Sequence, residues 1–537
     1  MLTGVEGHDA PCNIPDEIAA AVRRHPDTAV VVHSDVRSDS GTLDELFDES
    51  RRMAAGLAAL GIAPGDVVAV QLPNWWECFT AHAAIWLCGA VVLPIVGIYG
   101  PREVEFIVAQ SKARAFIVAR ELRNRDTAAT VAAVAGLPGL QHTIMVGEAL
   151  PQTIPLAELA RGDAGGFTAV VPANPESRAL LVYTSGTTAE PKGVQHSHAS
   201  LLGEIRAMDQ MRSAGPDLTT LSVFPSGHIA GTLGILRMFC RANTTIALDA
   251  WNAERAARLI ADHGVAASGG APIHLSGILD VAERERLDVS SLREYTTGAA
   301  GVSGALIRRA DRFGVGAFRC YGSSEHPTIS SGRPEDPLDK RADTDGRIAP
   351  GTEIRLLDDD GKDVEKGCPG EILTRGPELF SGYTDGLHTR DSMVDGWFRT
   401  GDIGRLDADG YLTITDRKKD VIVRGGENIS SKEVEDVLGV HPAIAEAAAV
   451  GVADEKYGER VCAFVVVNPG RSFGVADAAA HFAQCGLARQ KTPERIVVVT
   501  ELPRTASGKV QKHLLRSQFA ETNKAAILDR KERTWAG

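Results

Sequence analysis

The 537-residue sequence predicts an α/β protein with parallel sheets, and three observations carry that expectation. Apolar runs of strand length alternate with helix-patterned segments from about Leu43 to Leu248, the pattern of layered α/β folds. From about Gly351 the texture changes to short strands punctuated by Asp360-Gly361 and Asp409-Gly410, turn dipeptides that suit a small antiparallel subdomain. The charged cluster Asp416-Arg-Lys-Lys-Asp420 then separates the run Tyr411 to Thr415 from Val421-Ile-Val423 and marks a boundary before a compact final domain.

Residues from Leu43 to about Leu60 form an amphipathic helical pattern, and Asp66 to Leu72 is a near-continuous apolar strand of the kind buried on both faces. Between Cys78 and Pro101 there is no Lys, Arg, Asp or Glu, a length that approaches a membrane span. Gly89 and Pro94 divide it, so the expectation is a buried helix near Trp76 to Cys88 and a buried strand near Ala90 to Val96. Further strands are expected at Ala115 to Val118, Thr143 to Val146, Leu180 to Tyr183, Thr220 to Phe224 and Thr245 to Leu248, with a helix over His196 to Met211. In the final domain Ser430 and Glu433 have the spacing of a capping box. Strands near Ala447 to Val452 and Val461 to Val467, a helix near Ala476 to Ala488, and the strand Arg495 to Val499 follow.

With 44% hydrophobic and 24% charged residues the chain is an ordinary globular one, and its net charge of -13 offers no footprint for nucleic acid. Local basic sites therefore serve local anions. The eight cysteines, from Cys12 to Cys485, form no C-x-x-C pair and read as reduced thiols. The N-terminus lacks the basic start and apolar run of an export signal, so a cytoplasmic location is expected.

The chemistry is concentrated in Leu181-Val-Tyr-Thr-Ser-Gly-Thr-Thr-Ala-Glu-Pro-Lys-Gly-Val194, where an apolar strand gives way to hydroxyls, glycine and one lysine. Backbone N–H groups around Gly186, hydroxyls of Thr184, Ser185, Thr187 and Thr188, and the charge of Lys192 can converge on phosphate oxygens. The following helical pattern would point its positive end at the same place. It is not a Walker A loop, because Pro191 precedes Lys192 and Gly193 follows it. The same residue types also make plain surface loops, and motifs downstream separate the two readings.

Together with that loop, Tyr321-Gly-Ser-Ser-Glu325, Trp397-Phe-Arg-Thr-Gly-Asp402, Asp416-Arg-Lys-Lys-Asp420 with Arg424-Gly-Gly-Glu-Asn428, and Leu502-Pro-Arg-Thr-Ala-Ser-Gly-Lys509 make the chain resemble the adenylate-forming superfamily of AMP-forming acyl-CoA synthetases, firefly luciferase and peptide-synthetase adenylation domains. The resemblance covers nearly the whole chain. It implies a large N-terminal domain over residues 1–418 and a small mobile α+β domain over 419–537 that turns about Lys419. It implies an ATP and AMP site of Thr184, Ser185, Gly186, Thr187, Thr188, Lys192, Gly298, Ala299, Ala300, Tyr321, Gly322, Ser323, Ser324, Asp402 and Arg417. Within that site Tyr321 resembles the adenine-stacking aromatic and Asp402 the acceptor of both ribose hydroxyls, a task that suits a carboxylate. Glu325 and Thr188 match the positions that hold magnesium. His228, Gly298, Ala299 and Gly322 match the acyl pocket, Arg424, Gly425, Gly426 and Glu427 the coenzyme A step, and Lys509, with Lys192 and Glu325, the catalytic set. Two departures stand out: Ala189 where the family usually has glycine, and Ser324 where it usually has threonine.

The implied reaction is a two-step ligation in which a carboxylate attacks the α-phosphorus of ATP, and the thiol of coenzyme A then displaces AMP from the acyl adenylate. Magnesium and the lysines would oppose the charge gathered at phosphorus, with no covalent nucleophile on the protein. Amino-acid-activating relatives carry aspartate where Pro225 stands, which disfavours an α-amino acid. The Trp75-Trp76 region resembles enzymes for medium-chain fatty or alicyclic acids, and such an acid is the expected substrate. The alternatives are a ligase that loads a carrier protein, an aryl acid–CoA ligase and a non-catalytic nucleotide-binding regulator. No nucleic acid and no transmembrane segment are expected, and a homo-oligomer is compatible with the sequence.

Overall fold

A computed structural model of the protein describes residues 13–122, 125–162, 166–170, 174–184, 191–299, 301–358, 360–418, 420–424, 427–454, 457–485, 487, 489–505 and 508–520, with backbone alone at 427, 428 and 458. The expected α/β layering is present as two large sheets. One has nine strands, and its parallel centre is Ala317–Tyr321, Glu294–Thr297, Ala267–Gly270, Thr219–Ser222, Thr244–Leu248 and Ala29–His33, in that order. The other has eight, with Arg178–Thr184, Val91–Pro94, Val67–Gln71, Ala115–Ala119 and His142–Val146 as adjacent parallel strands. Helices Leu43–Ala59, Trp76–Leu87 and Ile229–Arg241 pack with residues of both sheets in one core, including Val30 and Ala247 from the first and Val70 and Leu180 from the second. Burial of side chains from both sheets in one cluster makes their relative position a property of the core.

The charge-free stretch folds as expected, into helix Trp76–Leu87, buried at every residue but Glu77, and the fully buried strand Val91–Pro94. Among the described residues no helix is long and apolar enough to cross a membrane. The helix expected over His196 to Met211 is corrected. Lys192–Ser197 is a strand, antiparallel to Arg178–Thr184, and the helix is His198–Asp209. Ser197 caps it by accepting the Ser200 N–H at 3.0 Å, and that cap decides where the helix starts. Since Ser197 pairs with Arg178 while Lys192 pairs with Thr184, the helix start lies at the far end of the hairpin from the phosphate loop. The positive end of that helix therefore does not serve the loop.

The antiparallel subdomain is a five-stranded sheet built on Glu353–Leu357, Gly370–Arg375 and Trp397–Leu406, with Leu412–Arg417 beside the last. Its turn residues Gly361 and Gly410 have φ of +79° and +84°, which explains glycine at both. The final domain contains Ile422–Arg424, Glu427–Ile429, Ile444–Asp454, Gly458–Val467 and Arg495–Val498 in one sheet. Helix Ser431–Gly439 opens on Ser430, whose hydroxyl accepts the Glu433 N–H at 3.1 Å. The Glu433 carboxylate binds Lys491 at 2.8 Å, so only half of the expected capping box forms. The described cysteines are free thiols: Cys78, Cys88, Cys240 and Cys462 are buried, whereas Cys368 and Cys485 are exposed.

Candidate functional site

The candidate site begins where the parallel strands of the nine-stranded sheet end. Strand Glu294–Thr297 runs into Gly298 and Ala299, and Ala317–Tyr321 runs into Gly322 to Glu325. A Cβ on Gly298 would lie 2.8 Å from the Cys320 sulfur and 3.0 Å from the Cys320 carbonyl oxygen, so the adjoining strand leaves room for glycine alone. Ala299 adopts φ +65°, a left-handed conformation that costs a non-glycine residue on the order of 1 kcal/mol.

Three chain segments meet at Asp402. Strands Trp397–Leu406 and Leu412–Arg417 pair Asp402 directly with Arg417, whose Nε lies 2.9 Å from Oδ1. The Tyr321 hydroxyl donates to Oδ2 at 2.8 Å. Each oxygen of a carboxylate has two acceptor positions, so both retain capacity for an incoming hydroxyl. Burial and the neighbouring Asp402 charge hold the Tyr321 phenol well above its usual range, which keeps it a donor. Asp402 in turn leads the influences that raise the Arg417 pKa.

Glu325 is fixed from two directions. Its carbonyl accepts Phe380 N–H at 2.8 Å, and its Oε1 accepts the Tyr383 hydroxyl at 2.7 Å. Lys192 Nζ sits 5.5 Å from the centroid of the Tyr383 ring, so one tyrosine links the carboxylate and the cation. Within the motif, Ser323 Oγ accepts the N–H groups of Glu325 and His326 at 3.2 and 3.3 Å. Behind it the fully buried His196 approaches the Ser324 carbonyl through Nε2 at 2.7 Å and the Ser200 hydroxyl through Nδ1 at 3.1 Å. Burial pushes this imidazole down to about 4, and a neutral ring suits one donor and one acceptor. Tyr383 and His196 escaped the sequence reading. His196 stands four residues after Lys192 with nothing local to distinguish it, and Tyr383 belongs to a strand of two residues.

Among the described residues there is no cluster of three or more metal-ligating side chains. Glu325, linked to Lys192 through Tyr383, still offers one carboxylate that fits magnesium, which is commonly held by one or two carboxylates together with substrate phosphates.

His228 precedes helix Ile229–Arg241, and its Nε2 is buried without a hydrogen-bond partner. Burial and then the charge of Lys509 push its pKa down to about 4. Lys509, from the final domain, is thus near enough to act electrostatically on His228. Lys509 belongs to a tight turn in which Thr505 N–H donates to the Lys509 carbonyl at 2.7 Å and Gly508 N–H to the Thr505 carbonyl at 2.9 Å. Gly508 has φ +84°, as the turn requires. Arg504 spans it, donating to the Gly508 carbonyl at 2.6 Å and to Glu446 at 2.7 Å.

The structure thus joins Tyr321, Asp402, Arg417 and Glu325 in one group, with Lys192 linked to Glu325 through Tyr383. The His228 loop leaves the same end of the nine-stranded sheet at which Tyr321 lies, and Lys509 acts electrostatically on His228. Arg424 stands apart, bonded to Glu494 at 2.9 Å in the final domain and 4.2 Å from the Tyr457 ring centroid. Ser185, Gly186, Thr187, Thr188, Ala189, Ala300, Lys419, Gly425, Gly426 and the Glu427 side chain lie outside the described residues.

Comparison with known proteins gives the family. A family model described as AMP-binding enzyme matches residues 18–384, and one described as AMP-binding enzyme C-terminal domain matches residues 433–509. A medium-chain fatty-acid–CoA ligase of Escherichia coli (strain K12) is 34% identical over 518 residues, covering 94% of this chain and 90% of that protein. A 3-[(3aS,4S,7aS)-7a-methyl-1,5-dioxo-octahydro-1H-inden-4-yl]propanoyl:CoA ligase of Rhodococcus jostii (strain RHA1) is 32% identical over 527 residues, covering 95% of this chain and 99% of that protein. Among solved structures, the anthranilate CoA ligase AuaEII in complex with anthranoyl-AMP superposes with a TM-score of 0.84 at 25% identity, covering 96% of this chain and 99% of that one.

Proposed function

Because this chain belongs to the AMP-binding enzyme family and is an AMP-forming acid–CoA ligase, with ATP and coenzyme A as co-substrates, we propose that it activates a medium-chain fatty or alicyclic carboxylic acid. The observation that supports the site assignment is the junction at Asp402, where the Tyr321 hydroxyl and the Arg417 guanidinium meet on one carboxylate. Asp402 takes the ribose hydroxyls, steadied by Arg417 and by the Tyr321 hydroxyl, while the Tyr321 ring and the small residues Gly298, Ala299, Ala300 and Gly322 receive the base. Thr184, Ser185, Gly186, Thr187, Thr188, Ser323, Ser324 and Lys192 hold phosphate. Glu325 and Thr188 would hold magnesium, which when bound neutralises phosphate charge.

His228, Gly298, Ala299 and Gly322 line the acid, and the Lys509 ammonium sits between the attacking carboxylate and the α-phosphate, offsetting repulsion between two anions as the new P–O bond forms and pyrophosphate leaves. The final domain, taken as residues 419–537, then turns about Lys419 and presents Arg424, Gly425, Gly426 and Glu427 to coenzyme A, whose thiol forms the thioester as AMP departs. Similarity to the Escherichia coli and Rhodococcus ligases supports the substrate class, as does Pro225, which leaves no carboxylate for an α-ammonium group. Pyrophosphate release across linear C4–C14, alicyclic, aryl and amino acids tests it. Fastest turnover is expected within the medium-chain and alicyclic sets, and preference for an aryl or amino acid would reject the assignment.

A further inference from the structure

We infer that Asn74 is a positioning residue for the acid half of the site, acting through His228 by clamping the loop that carries it; the inference rests on the reading of His228 as part of the acid pocket. The loop Phe224-Pro-Ser-Gly-His228 leaves strand Thr219–Ser222 of the nine-stranded sheet, whereas Asn74 follows strand Val67–Gln71 of the eight-stranded sheet. Asn74 is only 3% exposed and uses its whole amide across this gap. Its Nδ2 donates to the Phe224 carbonyl at 2.9 Å and to the Leu248 carbonyl at 3.1 Å, and its Oδ1 accepts the Ser226 N–H at 3.0 Å. The surroundings fix which way the amide points, since two of the three partners are acceptors and the third is a donor.

The rest of the loop has little freedom left. Ser226 Oγ donates to the Leu72 carbonyl at 3.1 Å, and Thr232 Oγ1 donates to the Ser226 carbonyl at 2.8 Å. A Cβ on Gly227 would fall 2.5 Å from Val96 Cα, so the loop lies directly on the backbone beyond the neighbouring strand Val91–Pro94. His228 N–H closes the turn on the Pro225 carbonyl at 3.1 Å. Of the side chains just named, Asn74 alone bonds to the C-terminal ends of two adjacent strands of the nine-stranded sheet, at Phe224 just beyond Thr219–Ser222 and at Leu248, from the eight-stranded one. Alanine there would remove the side-chain partner of two carbonyls, at Phe224 and the buried Leu248, and of the buried Ser226 N–H, and the loop would shift to satisfy them. Aspartate would set a carboxylate against the same two carbonyls. A shift of about 1 Å at a positioning element can cost about 100-fold in rate, and here it falls on the acid and spares the nucleotide.

The test measures acid-dependent ATP–pyrophosphate exchange for the wild type, Asn74→Ala, His228→Ala and the double variant, using the acid that releases pyrophosphate fastest. Asn74→Ala is expected to raise KM for the acid about tenfold or more while KM for ATP stays within about twofold. In the double variant the Asn74 change should add less than about twofold to the effect of His228→Ala, because the two act through one element. Equal losses for acid and ATP, or full additivity, would overturn the inference. A normal acid KM in His228→Ala would remove the reading of the pocket and the inference with it. A raised acid KM in His228→Ala beside a normal one in Asn74→Ala would leave the pocket standing and remove the role of Asn74. Should Asn74→Ala fail to fold, Asn74→Asp keeps the acceptor for Ser226, loses both donors and is read by the same criteria.

Discussion

The two halves of the site are built differently. On the proposed nucleotide side, Asp402, Arg417, Tyr321, Glu325 and Tyr383 are held by bonds that cross between separate segments of the chain, and a buried His196 backs the turn that bears Glu325. On the other side, Lys509 is carried on a turn shaped by Arg504, Thr505 and Gly508 within its own domain. The Tyr321 hydroxyl and the Asp402 carboxylate are already joined at 2.8 Å, so that half is preorganised. The proposed rotation of the final domain would deliver the lysine with that turn, which suits a group needed in one half-reaction and superfluous in the next.

Lys509→Ala should break the delivered half with the largest effect, a loss of about 10²–10³ in acid-dependent pyrophosphate release. Supplied acyl adenylate and coenzyme A should still yield AMP at near the wild-type rate. Comparable losses in both assays would mean that the lysine belongs to the fixed half. Asp402→Ala attacks the fixed half instead. Removing an acceptor of charge-assisted hydrogen bonds costs about 1.5–3 kcal/mol, so KM for ATP should rise about 10- to 100-fold, and an unchanged value in a folded variant would reject the ribose assignment.

A smaller effect should appear in stability. His82 and His198 are fully buried in the N-terminal part of the chain, and burial pushes both imidazoles down to about 4. His198 Nδ1 accepts the Ile14 N–H at 3.3 Å, which requires a neutral ring. The folded pKa values lie below the unfolded value of about 6.5, so the unfolded chain binds more protons between about pH 4 and 6.5. Stability should therefore be present above about pH 6.5 and be lost as pH falls toward 4, by up to about 3 kcal/mol per histidine. Thermal unfolding of His82→Leu, followed over that range, should show a shallower slope than the wild type. Smallest of all, Arg516→Ala removes a bond of 2.8 Å to Asp420, and with Arg516 one-third exposed the change should cost less than about 1 kcal/mol. A larger loss in chemical denaturation would show that this pair ties the final domain more firmly than its exposure suggests.

Much of this was legible along the chain because the signals were local. The apolar runs Val67–Gln71 and Ala115–Ala119 became buried parallel strands, and glycine marked the turns at Gly361 and Gly410. Lys192–Ser197 misled because Val194 and His196 point inward through pairing with a distant partner strand, and the hydroxyl of Ser197 rather than any apolar period sets the helix start. Tyr383 and Asn74 were invisible for a related reason. Each acts on residues more than fifty positions away, Glu325 for one and Phe224 for the other, and no spacing in the sequence encodes that.

The distribution of thiols has a practical consequence. A thiol reacts as its thiolate, and burial pushes Cys78, Cys88 and Cys462 up to about 12 and Cys320 up to about 11. Cys368 lies exposed before strand Gly370–Arg375, and Cys485 lies exposed at the end of helix Val475–Gln484 in the final domain. With Cys12 replaced by serine, maleimide dyes should therefore couple to one native position on each side of the Asp416–Asp420 cluster. The unengineered core thus permits single-molecule energy transfer between Cys368 and Cys485, and a change in the populations of dye separations on adding coenzyme A to the adenylate-loaded enzyme would report the proposed turn of the domain, whereas unchanged populations would count against it.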